Sequence, residues 1–496
     1  MVRNKTWMLG YAVAGLLMGS WAAQTRAADP APDAVDQKQL LDEVRALRAE
    51  VNAMKSQQKA TPATVAAPAE DPEAVKRAVA ADADERSHYY LFDNTDSLMS
   101  GFTLDRFTLQ SPDGKFVLRP WLHLQARDVT SVRQNFKVFG TANDTDNGFE
   151  IRRLKLGFDG NLFGPDLTYF FNWATVRANG TSTVTNNGKT VGTVSNNQAG
   201  VPVLEEAWAR WKVPSTDFYI KGGQIKDPVY HESIVSSRYQ QATERSLTAD
   251  LFFNGDSFAE GVTLGYDPKT FIRAEAGVDH GLRSANTNFL DPTDGNTYDY
   301  GAVGRVEYKV FGRWQDYQMG AAGVTAPLLV AGLGGEYSEH GHSGQTVAAA
   351  DVMYADQNGL SLFGSIADRY TNHNFGLYTQ SGTGASLGTP GSLVANTATN
   401  EYAAVAEAGY LFAKQFEPFG RYEYIHVAGD ANGSRNYFSE ITAGLNYYWY
   451  GHRAKLTGQA VYLPTGIPID DTANDVLASP NARGEFLFVG QFQLLI

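Results

Sequence analysis

Residues 152–173 read RRLKLGFDGNLFGPDLTYFFNW, and their period decides the fold. In an extended chain Leu154, Leu156, Phe158 and Leu162 fall on one side, and Arg153, Lys155 and Asp159 on the other. After the turn signal Gly164-Pro165-Asp166, the apolar side resumes at Leu167, Tyr169, Phe171 and Trp173. Period-2 alternation of this kind marks a strand with two chemically different faces, and Gly-Pro-Asp marks the reversal between two of them.

The same pattern recurs outward in both directions. Sixteen segments carry it: 116–129, 149–162, 166–176, 203–213, 217–227, 258–267, 271–279, 299–310, 328–337, 346–356, 359–369, 401–412, 416–427, 437–449, 452–463 and 484–496. Their connections alternate between long ones, such as 177–202, 228–257 and 370–400, and short ones with turn chemistry, such as Pro214-Ser215-Thr216. The segment 311–327 breaks this rhythm and reads as part of a strand cut short; 338–345, with His340 and His342, reads as a Gly/Ser loop. Long loops at one rim and short turns at the other, with strands of about ten residues, describe an antiparallel transmembrane β-barrel of about 16 strands. A closed barrel pairs every backbone group without leaving an edge. Aromatic clusters at strand ends, such as Tyr447, Tyr448, Trp449 and Tyr450, suit the interfacial girdles of such a barrel.

The N-terminal hundred residues read differently. Arg3 and Lys5 precede an uncharged run from Trp7 to Ala23, followed by small residues, which is the layout of a secretory signal peptide over 1–27. Leu40, Val44, Leu47, Val51 and Met54 form an a/d seam, so 35–58 reads as a short oligomerising coiled coil. Residues 59–100 are Ala-, Pro- and acid-rich and read as a linker, leaving 101–496 to the barrel. Losing Arg3, Lys5 and Arg26 with the signal takes the formal charge from −13 to −16. That balance argues against a nucleic-acid partner. The absence of cysteine excludes disulfides, thiolate metal sites and cysteine nucleophiles.

The run FEIRRLKLGFDGNLFGPDLTYFFNW at 149–173, the strand FYIKGGQIKDP at 218–228 and the stretch SSRYQQATERS at 236–246 resemble the phosphate-selective porin O and P family. The resemblance spans roughly 100–496 and is strongest over 149–267. It implies a trimeric 16-stranded barrel in the bacterial outer membrane that passes small anions such as phosphate by diffusion, with the coiled coil in the periplasm. It also implies that the third long loop, 228–257, folds into the lumen as the constriction, with Arg238 and Arg245 matching the family motif. A guanidinium keeps its charge and can hold phosphate in bidentate fashion. The alternative for Glu244 and Arg245 is an ion pair that pins the loop to the wall. Period 2 adds lumen-facing cations, among them Arg119, Arg127, Arg153, Lys155, Arg210, Arg273, Arg305, Lys309, Arg421, Arg453 and Lys455, interleaved with carboxylates. Mixed signs suit cross-strand pairs as well as an anion path, and the net charge argues against strict phosphate selectivity.

No cofactor, metal or enzymatic activity is expected. His231-Glu232 lacks the second histidine of a zinc protease helix, and Gly332-Leu333-Gly334-Gly335 lies within a strand pattern, not at a strand-to-helix turn. The competing readings are an envelope-tethering or adhesive barrel and an outer-membrane hydrolase or soluble secreted β-protein.

Overall fold

The computed structural model describes residues 99–103, 106–134, 144–175, 179–186, 189–197, 200–282, 299–340, 343–372, 378–381, 384–387, 398–427, 437–467, 475–476 and 484–496. All belong to the unit Asp84–Ile496. The signal peptide, the coiled-coil seam from Leu40 to Met54 and nearly all of the linker lie outside the described residues.

Sixteen strands form the wall. They are β1 (Val117–Gln134), β2 (Asp144–Asn161), β3 (Leu167–Thr175), β4 (Pro202–Lys212), β5 (Phe218–Lys226), β6 (Phe258–Tyr266), β7 (Ile272–Asp279), β8 (Tyr300–Phe311), β9 (Leu328–His340), β10 (Ser343–Ala355), β11 (Leu360–Asn372), β12 (Thr399–Tyr410), β13 (Phe416–His426), β14 (Tyr437–Tyr448), β15 (Ala454–Leu463) and β16 (Gly484–Leu495). Each pairs antiparallel with the next, and β16 pairs with β1 from Gly484↔Gln134 to Leu495↔His123, so the barrel is closed. A hairpin, Met99–Thr103 with Arg106–Gln110, attaches to the start of β1 through Leu109↔Leu118. Two further hairpins occupy the long connections: Asn179–Asn186 with Lys189–Asn197, and Tyr378–Ser381 with Gly384–Leu387.

The two faces are those read from the sequence, with the polarity of a membrane protein. Leu333 and Val278 are each 64% exposed, whereas Glu401, Glu423 and Glu485 are 0% exposed. A water-soluble fold would reverse that assignment. Strand β12 alternates buried Glu401, Ala403, Val405 and Glu407 with exposed Tyr402, Ala404, Ala406 and Ala408. Aromatic contacts ring both rims: Phe218–Tyr266 (5.0 Å) and Phe416–Tyr447 (5.0 Å) at the short-turn end, and Tyr402–Tyr424 (6.3 Å) and Tyr462–Phe486 (4.4 Å) at the other. Trp449 and Tyr450 stand outside as expected, but Tyr448 points into the lumen and donates to Glu417 at 2.5 Å. Among the described residues no helix is long and apolar enough to cross a membrane.

Three sequence expectations are corrected. Segment 311–327 is not an interrupted strand: Gly312 has φ +96°, and a Cβ there would meet Pro327 O at 2.6 Å. The chain leaves the wall and places Tyr317 and Met319 inside the barrel. His340 is not in a loop but closes β9, pairing with Ser343 of β10, so only 341–342 lie between these strands; His342 lies outside the described residues. Arg453 is not on a lumen-facing strand position: it sits, exposed, in the turn before β15, its N–H bonded to Tyr450 O at 3.1 Å.

Candidate functional site

The long connection 227–257 folds into the barrel. It contains a single helical turn α1 (His231–Ile234), a 3-10 turn at Ser237–Tyr239 and a short helix α2 (Leu247–Phe253). Ser246 caps α2, accepting from Ala249 N–H at 3.0 Å. Asn254 closes it in the left-handed region at φ 56°. Leu247, Leu251, Phe252 and Phe253 are fully buried in one apolar cluster with wall residues of β10–β16, such as Met353, Phe363, Val405, Ile425 and Leu487. Each buried side chain of that size contributes about 1.5–3 kcal/mol, so the loop is a packed element of the lumen.

Polar anchors fix its position. Glu423 on β13 accepts from Thr248 N–H (3.1 Å) and Leu247 N–H (3.3 Å) at the start of α2. Arg421 donates to Glu244 O (3.0 Å) and Arg245 O (3.3 Å), Lys455 to Gln240 O (2.8 Å), Arg305 to Val229 O (2.8 Å) and Arg369 to Leu251 O. The loop backbone comes so close to β9 that a Cβ on Gly334 would stand 2.1 Å from Val229 O. Gly334, within 332–335, therefore gives clearance to the loop.

The sequence-predicted residues divide into two groups. Arg127 and Arg153 converge on the loop: both pair with Glu244, at 2.6 Å each. Arg152 joins them on the same carboxylate. Burial alone would raise the Glu244 carboxyl, but Arg152, Arg153 and Arg127 outweigh it and hold it well below the usual range. Arg245 does not pair with Glu244. It bonds Asp256 (2.6 Å) and the carbonyls of Val235 (2.7 Å) and Glu232 (3.0 Å), all within the loop. Glu232 accepts from Ser246 N–H at 2.7 Å. Both members of the expected pair thus act as ties, to different partners.

Arg238, Lys155 and Arg119 lie towards β1–β5. The Arg238 guanidinium stacks 3.7 Å above the Trp121 ring. Lys155 pairs with Glu205 at 2.6 Å, and half-exposed Arg119 with Asp159 at 3.0 Å. Between loop and wall here is a cavity of about 200 Å³ lined by Trp121, Phe170, Asn172, Lys155, Glu206 and Arg238 among others. Trp121 and Phe170 line it and stack on each other (centroids 5.8 Å), and the row of rings continues beyond the cavity from Phe170 to Trp208 (5.6 Å, interplanar 15°). Gly157 on the strand between makes the row possible, since a Cβ there would meet the Trp121 ring at 2.2 Å.

From the opposite rim, the connection 312–327 meets the loop. Tyr317 stacks on His231 with centroids 3.8 Å apart, and Ala321 N–H donates to Glu417 at 3.1 Å. Burial holds the His231 imidazole down at about 4, with the nearby Arg305 guanidinium acting in the same direction against Asp351. The lumen is thus narrowed from both ends.

Two residues of this site escape a strict period of two. A bulge where Gln125 faces Arg153 and Ala126 faces Ile151 turns Arg152 inward. A second bulge, opposite Asn172 and Trp173, turns Glu205 inward beside Glu206. The consecutive like residues Arg152-Arg153 and Glu205-Glu206 were the only visible signal, since a strand cannot place two charges in succession without exposing one to lipid unless it bulges. The aromatic row was also missed: Phe170 and Trp208 are apolar residues on the lumen side of the alternation.

Residues 124–303 match the family model of phosphate-selective porin O and P. The match covers the strands on which the resemblance was drawn. No curated protein matches the chain. Solved structures similar to it include Salmonella typhi OmpF in complex with daunomycin (15% identity, TM-score 0.49, 77% of this chain and 99% of that one). They also include an anion-selective porin from Comamonas acidovorans (11%, 0.48, 76% and 99%) and Pseudomonas putida OprB (11%, 0.47, 76% and 94%).

Proposed function

We propose that this chain is an outer-membrane porin through which small solutes, small anions such as phosphate among them, diffuse passively past the constriction formed by 227–257. The inward-folded loop carries the reading: a wall of polar residues inside, apolar residues outside, and one folded segment narrowing the lumen are what a size-sorting pore requires. Arg238, Lys155 and Arg119 are the cations assigned to the solute path. Arg127, Arg153 and Arg245 set the field and hold the loop. Because their charges are met by Glu244, Glu205 and Asp256, anion preference is weak and phosphate is not selected strictly. The test is single-channel current in planar bilayers with a salt gradient, for wild type, Arg238→Ala and Arg245→Ala. Conductance with a modest anion-directed reversal potential that shrinks in Arg238→Ala supports the reading. A silent barrel would favour the envelope-tethering alternative.

A homotrimer, held further by the coiled coil of Leu40, Val44, Leu47, Val51 and Met54 in the periplasm, fits this function. Its support in the barrel is an apolar groove of about 720 Å³ on the outer face, where Gly458 and Gly490 leave the surface indented between Leu445, Leu456, Phe492 and Ile151.

A second reading follows from the aromatic row. Stacked rings flanked by Asn172, Glu206 and Lys155 offer a face to a ring-bearing solute and hydrogen-bond partners to its hydroxyls. The flanking charges nearly cancel, which suits a neutral saccharide better than an anion. Transient block of the current by a small sugar, relieved in Phe170→Ala, is the expected signature.

A further inference from the structure

Three acidic side chains meet where the constriction loop leaves the wall. Asp227 is the first residue after β5, Asp279 ends β7 and Glu336 lies near the end of β9. All three are buried, at 0%, 6% and 3% exposure. Each has one oxygen fixed by the protein: Asp279 Oδ1 accepts from Gly281 N–H (2.7 Å), Glu336 Oε1 from the Ser338 hydroxyl (2.7 Å) and Asp227 Oδ2 from the Ser257 hydroxyl (3.4 Å). The other oxygens, Asp227 Oδ1, Asp279 Oδ2 and Glu336 Oε2, are buried without a hydrogen-bond partner. One ligand oxygen from each of the three residues lies within 4.8 Å of the others.

The surroundings are shaped for this convergence. A Cβ on Gly261 would stand 2.6 Å from the Asp279 Cβ, and one on Gly301 2.1 Å from its Oδ1, so glycines on both neighbouring strands make room for that carboxylate. Lys221, whose charge reaches the cluster, is already engaged by Glu275 (2.5 Å), and the His280 ring lies against Glu260 (3.7 Å). Orphaned buried carboxylate oxygens are costly unless they coordinate a metal or take up protons. Three hard oxygen ligands of formal charge −3 select a hard cation. Ca²⁺ accepts about six to eight oxygens in a flexible geometry and suits three protein carboxylates at one point, whereas Mg²⁺ demands a near-ideal octahedron and gives up its water reluctantly.

We propose that Asp227, Asp279 and Glu336 bind a calcium ion that clips the first residue of the constriction loop to β7 and β9. The ion acts as a structural tie, joining three strands at the loop's root and taking no part in permeation.

The test uses the full-length protein, refolded free of lipopolysaccharide and stripped with EDTA, titrated with calcium chloride by calorimetry at neutral pH. Wild type is expected to take up one Ca²⁺ per chain, and Asp227→Asn and Glu336→Gln to weaken it at least tenfold while keeping heat-modifiable migration. In planar bilayers, chelator should raise the current noise of wild type to the level of Asp227→Asn, and calcium should restore it. If wild type binds no calcium, the three groups share protons instead and the proposal fails. It fails equally if both variants bind as tightly as wild type. Should a variant not fold, the wild-type arm alone decides: absent uptake, or noise indifferent to chelator, overturns it.

Discussion

Replacing Glu244 by Gln keeps the shape of the tie between loop and wall and removes its charge. Glu244 faces Arg127 at 2.6 Å, Arg153 at 2.6 Å and Arg152. Arg127 retains Glu150 at 2.5 Å; Arg152 and Arg153 lose their carboxylate. Two effects follow. Breaking a buried pair from one side costs on the order of 3–5 kcal/mol, and even 3 kcal/mol raises the population of a displaced loop by about a hundredfold. The current of Glu244→Gln should therefore flicker where wild type is quiet. An uncompensated positive charge also appears beside the solute path. At about 7 Å in water it favours an anion by about 0.6 kcal/mol, or about threefold in local concentration, so the reversal potential should move towards anions, most at low salt. The pH dependence carries the same sign. The Glu244 carboxyl lies well below its ordinary 4.5 in the folded chain, so its contribution is complete above pH 4.5 and is lost as pH falls below that towards the folded value. Wild type should become noisy only in that acid window, whereas Glu244→Gln should be noisy at neutral pH and change little on acidification. A variant that migrates as a folded barrel yet matches wild type in noise and reversal potential would refute the account of how this loop is held.

Other perturbations separate the parts of the site. His231 is held at about 4 against an ordinary 6.5, so the unfolded chain takes up its proton first; stability falls as pH drops from 6.5 to about 4, by on the order of 3 kcal/mol at 1.36 kcal/mol per pH unit, and thermal unfolding of His231→Gln should lack that slope. Replacing residues 314–322 by a short Gly-Ser turn removes Tyr317 and Met319 from the lumen and should raise single-channel conductance, with little change in ion selectivity. Gly157→Val should drive the Trp121 ring from its place and abolish block by any ring-bearing solute, while the barrel remains folded by gel mobility. Arg245→Ala, which loses three ties within the loop, should give unstable current, in contrast to Arg238→Ala, which should stay quiet and change only permeability.

The wall was legible because one rule governs it. Each strand position meets either lipid or the crowded interior, so alternation persists through β12 or β15 even where side chains are small. The rule breaks where backbone geometry departs from the pleat. Arg152 and Glu205 are brought inside by bulges, and no period of two can predict that. The neighbours Tyr447 and Trp449 make Tyr448 look like a girdle residue, yet parity alone places it beside Asn446, inside. The constriction loop was assigned from its order among the long connections and from resemblance; its partners could not be. Glu244 is 91 residues from Arg153 and 117 from Arg127, and only closure of the barrel brings those strands under it. The excursion at 312–327 was hidden because Gly312, Gly320 and Gly323 look like turn residues while Trp314, Tyr317 and Met319 look like a strand.

The charge balance of the interior bears on selectivity more directly than the chain's net charge does. The carboxylates are not confined to external loops: Glu401, Glu407, Glu417, Glu423, Glu440 and Glu485 all line the wall. Arg421 alone faces Glu423 (2.9 Å), Glu440 (3.0 Å), Glu232 (3.8 Å) and Glu407 (3.9 Å). On this side, β12–β16, cations are spent holding the loop and the space is filled by α2 and its apolar partners. On the β1–β5 side Lys155 and Arg238 border the cavity beside the aromatic row, and Arg119 lies on the same strand as Trp121, paired with Asp159. On the proposed path a solute meets the field of the β1–β5 side of the wall, whatever the sum over 496 residues. Reversing a charge at Glu423 should then disturb the loop and its noise, whereas reversing one at Arg119 should change permeability with the loop in place.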